Sequence, residues 1–219
     1  MKKIIFFLLI LIASNAKSIT PNWSRLENTN RHLLEARFSW DYGVTYGIAY
    51  GYHFNLHFPM IANIEYSFPS GSKIFDDFKT KYGVQTCWIN QGRFRASTNL
   101  QGVFRRYENN FVRLVDFGSD FSGTAGYYRN KWFVAGEAGF DKAISTNFKH
   151  SKSYRDQYPG VVDGWYEPAT GGNFYYGLTT GYSFDKGDLS LKLGKVISQD
   201  FKVTPLIPFY LQLGYSLKL

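Results

Sequence analysis

The sequence predicts an all-β protein, a closed antiparallel up-and-down transmembrane β-barrel of about ten strands. Three observations support this fold class. The chain begins with an export signal, its aromatic and apolar residues alternate with small or polar ones over many segments, and short and long connections follow each other in turn. These features together are typical of a sheet that spans a membrane and closes on itself.

The first segment, 1–16, has the composition of a cleavable signal peptide. Lys2 and Lys3 precede the apolar run 4–12, and Ala13-Ser14-Asn15-Ala16 supplies small residues for a cleavage site. The run is shorter than the roughly 20 apolar residues that a transmembrane helix needs. We therefore expect cleavage after Ala16, export of the chain, a periplasmic lead-in over 17–32 and an outer-membrane barrel over 33–219.

The stretch 42–54, YGVTYGIAYGYHF, shows the alternation most clearly. Its even positions carry large apolar or aromatic side chains, and its odd positions carry Gly, Ala, Thr and His. A helix would scatter the tyrosines around its circumference, so the period is two. A soluble sheet would bury this aromatic face, whereas a membrane barrel would turn it toward lipid.

The same alternation predicts the other strands. With 42–54, the segments are 34–40, 60–68, 82–88, 94–100, 121–127 (which the chain enters through 111–117), 132–140, 174–184, 189–193 and 209–219. Tight turns at 55–57, 90–92, 129–131 and 185–188 alternate with longer connections at 69–79, 105–118, 142–172 and 198–207. This alternation fits short periplasmic turns and long extracellular loops. Ten strands result, or eight if two of the weaker segments belong to loops.

Composition argues against several classes of function. The chain has 25 Lys and Arg and 17 Asp and Glu, but it has no basic block, so we expect no nucleic-acid binding. Cys87 is the sole cysteine and allows no intramolecular disulfide. The four histidines are dispersed and form no metal-binding motif, so we expect no metal and no cofactor. The four are His32, His53, His57 and His150.

The chain resembles the small outer-membrane β-barrel proteins of Gram-negative bacteria in its signal peptide and its last strand. Proteins of that class end in a strand of alternating hydrophobic residues that the barrel-assembly machinery recognises. The corresponding residues here are Phe209, Leu211, Leu213, Tyr215, Leu217 and Leu219. The final residue is Leu rather than the commoner Phe. The resemblance implies location in the outer membrane, contact with its lipids and recognition by that machinery, and it implies no particular activity.

Charged residues on the inward face predict a network in the lumen. A ten-strand barrel encloses a narrow space, where charges must pair or meet water. We expect side chains to fill this lumen, and the alternative is a narrow selective path between them. The predicted network consists of Glu35, Arg37, Glu65, Lys81, Arg93, Arg95, Arg105, Glu137, Asp141 and Lys192.

The connection 142–172 is the longest and the richest in aromatic residues. Long loops in compact domains tend to be functional, and exposed aromatic side chains favour binding. Tyr154, Tyr158, Trp165 and Tyr166 are therefore candidates for binding a partner protein or an envelope glycan. The alternative is a loop that folds over the mouth of the barrel.

Three functional hypotheses follow. The first is a non-catalytic structural or accessory component that presents its loops to a partner, and the second is a narrow channel for small solutes or apolar ligands. The third, a lipid-modifying enzyme, depends on His150 and Ser151 with Asp141, Asp163 and Glu167 in or beside the same loop. Because no fixed catalytic spacing accompanies these residues, we do not expect an enzyme.

Overall fold

Strands with one apolar and one polar face form a closed wall in this chain. The structure is a computed structural model, and it describes residues 18–26, 31–40, 43–71, 75–168, 171–202, 204–205 and 207–219. The predicted signal peptide 1–16 lies outside the described residues. Within them no helix is long and apolar enough to cross a membrane.

The described strands are β1 (His32–Trp40), β2 (Val44–Phe54), β3 (Met60–Pro69), β4 (Asp77–Gln91), β5 (Phe94–Glu108), β6 (Val112–Tyr128), β7 (Trp132–His150), β8 (Gly164–Tyr166), β9 (Gly172–Ser183), β10 (Gly187–Ser198) and β11 (Phe209–Lys218). Ten of them form the barrel, because β8 pairs only with the end of β7. Each barrel strand is antiparallel to its neighbours, and β1 pairs with β11 to close the ring. The preferred count of ten strands is confirmed.

The strands on one side of the barrel, β4–β7, are much longer than the others. Strands β1–β3 and β9–β11 have 9 to 12 residues, whereas β4–β7 have 15 to 19. The predicted connection 105–118 is therefore wrong, since β5 and β6 continue through most of it and only 109–111 joins them. The connection 142–172 is also shorter than predicted. It contains the end of β7, helix α1 (Lys152–Gln157) and β8.

A β-bulge explains why the sequence concealed the end of β7. Ala143 pairs with Gly118 and Ser145 pairs with Phe117, so Ile144 is an extra residue without a partner on β6. One extra residue exchanges the inward and outward positions. The alternation that marks 132–141 therefore reverses beyond Ile144, and the strand resembles an irregular segment in the sequence.

The outer face of the wall is apolar, and the inner face is polar except for a buried apolar cluster that includes Leu33, Ile61 and Phe133. Ile48, Tyr82 and Leu100 on the outer face are 60% exposed or more, whereas Glu35, Lys81 and Asp120 on the inner face are 3% exposed or less. A soluble protein would reverse this distribution, and lipid around the barrel accounts for it. Five residues of the predicted assembly signal face outward from β11, and Leu219, which directly follows this strand, is exposed as well.

Aromatic rings mark the rim at the end with the longer connections. Successive ring centroids lie 5.3 to 6.1 Å apart around this side of the barrel. The row consists of Tyr46, Phe68, Tyr66, Phe78, Phe104, Phe117 and Trp165. Such belts lie at membrane–water interfaces. The chain is an outer-membrane β-barrel, and we assign its short turns to the periplasmic side because barrels of this kind have short periplasmic turns and long extracellular loops.

Candidate functional site: the lumen and the N-terminal segment

Buried ion pairs line the lumen. Arg37 lies between two glutamates, with Nε 2.7 Å from Glu35 Oε1 and Nη1 2.9 Å from Glu65 Oε2. Gln101 Nε2 donates to Glu65 Oε1 at 2.8 Å. Glu35 and Arg37 both lie on β1, whereas the bonds of Glu65 on β3 reach Arg37 on β1 and Gln101 on β5, so each of these two bonds joins strands that are next but one. The bonds therefore run along the wall of the lumen.

Two further ion pairs follow the same rule. Lys81 on β4 is paired with Asp120 on β6, and Tyr175 on β9 donates its hydroxyl proton to Asp120 Oδ1 at 2.6 Å. Lys192 Nζ on β10 lies 3.4 Å from Glu137 Oε2 on β7. A charge in this environment is costly unless it is paired and hydrogen-bonded. These contacts hold the charged groups against the wall.

The structure places the predicted network as follows. Glu35, Arg37, Glu65, Lys81, Glu137 and Lys192 are buried in the ion pairs above, and Arg105 is buried with Nη2 3.4 Å from Asp77 Oδ1. Asp141 is half-buried on the inner face of β7. Arg95 lies at the periplasmic mouth, where its Nη1 donates to the carbonyls of Gly92 and Phe94.

Arg93 corrects the prediction, since its side chain is exposed at the periplasmic turn and Nη1 donates to Tyr127 Oη at 2.9 Å. A residue next to a turn is free to leave the face that alternation assigns to it. Sequence reasoning also missed buried charges of the inner face: Asp77, Lys79, Asp120, Asp188 and Lys218. Asp77, Lys79 and Asp188 lie in stretches that the sequence assigned to connections, and Lys218 lies at a strand end. Asp120 lies in the middle of β6, where the alternation with Phe121 would have located it.

Residues 18–26 of the predicted periplasmic lead-in lie inside the barrel, whereas His32 at its end begins β1. We call residues 18–26 the N-terminal segment. Its residues from Ser18 to Trp23 are buried, and Trp23–Arg25 form one turn of 3-10 helix. The segment pairs with no strand among the described residues. Side chains and carbonyl groups of the wall hold it in place.

Hydrogen bonds attach the N-terminal segment to the wall along its length. Lys192 Nζ donates to the Ser18 carbonyl at 3.1 Å, and the Thr20 amide donates to Glu35 Oε2 at 3.1 Å. Asn22 Nδ2 donates to Ser183 Oγ and to the Arg129 carbonyl, both at 2.8 Å. The segment thus runs from the level of the lumen charges to the periplasmic turns.

Apolar contacts add to this attachment. Ile19 and Trp23 are buried in a cluster with wall residues, among them Leu33, Ile61 and Phe133. Ile19 is fully buried. Burying a side chain of this size contributes about 2 kcal/mol. The segment is therefore packed as well as hydrogen-bonded.

The wall beside the N-terminal segment carries small polar side chains. A cavity there is bounded by the segment and by Ser97, Asn99, Ser122, Thr124 and Thr179, among others. The Oδ1 atom of Asn99 is buried and accepts no hydrogen bond from the described residues. Without the segment, this part of the lumen would be wider, and it would expose these polar groups together with the apolar residues that now contact Ile19 and Trp23.

The long extracellular connection contains a separate polar cluster. Asp163 accepts hydrogen bonds from the His150 amide and from His150 Nδ1, both at 2.8 Å, and from Arg155 Nη1 at 2.7 Å. The bond from the His150 amide, followed by that from the His150 ring, lowers the pKa of Asp163 below its ordinary value of 3.8. Ser151 Oγ caps α1 by accepting from the Tyr154 amide. These bonds use the serine and the histidine for local structure.

The four aromatic candidates of this connection have different surroundings. Tyr154 lies between His150 and Tyr158, with ring centroids 5.3 and 4.9 Å away. Trp165 belongs to the aromatic row at the membrane interface. Tyr166 donates its hydroxyl proton to the Val162 carbonyl. Tyr158 is half exposed, and binding of a partner protein or glycan here stays a prediction.

Among the described residues, no group of His, Cys, Asp and Glu side chains could hold a metal ion. Comparison with protein-family models gives no match, and comparison with curated proteins gives none either. Among solved structures, the chain is similar to the KdgM porin at 8% identity and a TM-score of 0.44, over 85% of this chain and 99% of that one. The same porin in complex with disordered oligogalacturonate gives 9%, 0.45 and the same coverage. A mutant Rh. blastica porin gives 7% and 0.22, over 86% and 99%.

Proposed function

We propose that this protein is a narrow outer-membrane channel for small polar solutes, and that its own N-terminal segment closes the periplasmic end. One observation carries the proposal. The segment lies within the lumen, yet it contributes no strand to the described barrel. The ladder of the wall is therefore complete without it, so the segment can leave while the barrel stays closed.

The chemistry of the lumen supports a polar cargo. Ser97, Ser122, Thr124 and Thr179 offer hydroxyl groups along the wall that the segment covers. The charged groups above them are held along the wall in pairs. A solute that exchanges hydrogen bonds with these groups loses little on leaving water, whereas an apolar solute would leave the same groups without partners. With ten strands, the passage admits small solutes only.

Conductance measurements in planar bilayers test the proposal. Asn22→Ala removes the bonds to Ser183 and to the Arg129 carbonyl, and it should raise the open fraction about thirtyfold, since each of the two bonds contributes about 1 kcal/mol. Asn130→Ala, at an exposed position of the adjacent turn, is the matched control and should conduct as the natural protein does.

A reversible lock makes the test specific to the segment. Asn22→Cys with Ser183→Cys, in a Cys87→Ser background, places two thiols where a hydrogen bond now joins the side chains. Oxidation should keep the channel closed, and reduction should restore its openings. If a folded variant lacking residues 18–26 conducts no better than the full chain, the protein is not a channel of this kind.

A further inference from the structure

Two arginines meet at one tyrosine hydroxyl on the periplasmic rim. Arg93 Nη1 donates to Tyr127 Oη at 2.9 Å, and Arg129 Nε and Nη2 each lie 3.4 Å from the same oxygen. Arg93 follows the turn residue Gly92, and Arg129 follows the end of β6. Two separate periplasmic turns therefore bring their cations to a single point.

This arrangement concentrates positive charge. No carboxylate of the described residues forms an ion pair with either guanidinium. The two guanidinium groups repel each other at this distance. A bound anion would attract both groups and so offset that repulsion. Each guanidinium has five N–H donors, and the bonds to Tyr127 use one from Arg93 and two from Arg129.

Two other arginines of the periplasmic rim donate to backbone carbonyls instead. Arg25 donates from Nη1 to the Phe184 carbonyl and from Nη2 to the Asp185 carbonyl, so the backbone of a turn satisfies it. Arg95 likewise donates to the carbonyls of Gly92 and Phe94. Arg93 and Arg129 share a neutral hydroxyl instead.

The surroundings of the pair belong to the membrane interface. Arg129 lies over the rings of Tyr127 and Trp132, at 5.6 and 5.7 Å from their centroids. Phe94 is the ladder partner of Tyr127 and is exposed on the outer face, as is Trp132. Aromatic side chains at this level lie among lipid headgroups, and the apolar surface beside them contacts acyl chains.

We propose that Arg93, Arg129 and Tyr127 bind the phosphate group of a phospholipid in the periplasmic leaflet. The two guanidinium groups donate to the phosphate oxygens, a geometry that arginine forms well. The Tyr127 hydroxyl accepts from the arginines and donates its own proton to a non-bridging oxygen of the same phosphate group. The acyl chains then lie along Phe94 and the outer face of β5 and β6. The proposal is independent of whether the lumen conducts.

Native mass spectrometry of the full chain in detergent tests this site. The delipidated protein is titrated with a short-chain phosphatidylglycerol, and bound lipids are counted. The variant Arg93→Gln with Arg129→Gln should bind the first lipid at least about tenfold more weakly. Lys131→Gln removes one charge from the same turn and is the matched control, which should bind as the natural protein does.

Two further measurements separate the alternatives. Tyr127→Phe keeps the ring packing and removes the hydroxyl, so it should fold normally and still bind the lipid more weakly, by about threefold. Diacylglycerol, which has no phosphate, should not bind, and inorganic phosphate at millimolar concentration should not displace the lipid. Equal lipid binding by the folded double variant overturns the proposal. Displacement by inorganic phosphate replaces it with a general anion site.

Discussion

The two ends of the lumen are filled in different ways. In the middle and toward the extracellular end, the wall fills its own interior with side chains such as Arg37, Lys81 and Tyr175. At the periplasmic end, a segment that belongs to no described strand occupies the space. Side chains that belong to the wall must fill the lumen whenever the barrel forms. A segment that only side chains and single hydrogen bonds attach can dissociate and dock again while the barrel stays folded.

The largest expected effect concerns the wall. Lys81→Met leaves Asp120 buried without its cation, and breaking a buried pair in this way costs about 3–5 kcal/mol. The urea midpoint, followed by heat-modifiable gel migration, should fall strongly or the barrel should fail to assemble. Lys81→Met with Asp120→Leu removes both charges and should recover much of the loss. A single variant as stable as the natural protein would show that the wall charges are not coupled to folding.

A second test concerns the room for a side chain on the lumen face of β2. Gly47 lies between Arg37 and Ser67 in the ladder, and a Cβ atom there would meet its neighbours at 3.4 to 3.8 Å. Gly47→Ala should therefore be mild. Gly47→Trp should cost more than about 3 kcal/mol through overpacking, because the Arg37 side chain crosses this strand to reach Glu65. Ile48→Leu on the lipid face is the control. Normal assembly of Gly47→Trp would reverse the assignment of the two faces.

The N-terminal segment should respond differently from the wall. Ile19→Ala weakens the docking of the segment by about 2–4 kcal/mol, since it empties a packed site. Trypsin should then cleave after Arg25 faster, while the urea midpoint of the barrel changes little. Leu100→Ala, an apolar truncation on the lipid face, should leave the cleavage rate unchanged. If Ile19→Ala lowers the midpoint as much as Lys81→Met does, the segment is an integral part of the wall.

The smallest expected effect lies outside the membrane. The pKa of Asp163 is lowered below 3.8 in the folded protein, so its contribution to loop stability is complete above that value. It is lost as the pH falls through the folded pKa. The amide resonance of His150, followed by NMR in micelles, should shift with a midpoint below 3.8. Arg155→Gln removes a cation from Asp163 and should raise that midpoint. A midpoint of 3.8 or higher in the natural protein would contradict the cluster.

The alternation of residues was enough to locate most of the wall. Strands such as β1, β2 and β11 expose one face to lipid and one to a polar lumen over their whole length, so their period of two is uninterrupted. It was not enough at Ile144, where one extra residue reverses the pattern. It also misplaced Arg93, because a turn residue is not bound to the face that its position implies.

The N-terminal segment carried no periodic signal. Its contacts are single hydrogen bonds and one apolar cluster with residues distant in the chain, such as Asn22 with Ser183. The pair Arg93 and Arg129 escaped prediction for the same reason, since two turns meet at Tyr127 only after β5 and β6 pair. Such contacts depend on which strands become neighbours.

The sequence by itself predicted a membrane barrel, favoured ten strands over eight and assigned the lipid-facing side of strands without a bulge, such as β1, β2 and β11. These properties follow from local periodicity, since alternate side chains of a strand face lipid and the lumen in turn. The tertiary structure alone decided which charges pair in the lumen, what occupies its periplasmic end and where two turns bring their arginines together. Those properties depend on closure of the sheet, which brings together residues that the chain keeps far apart.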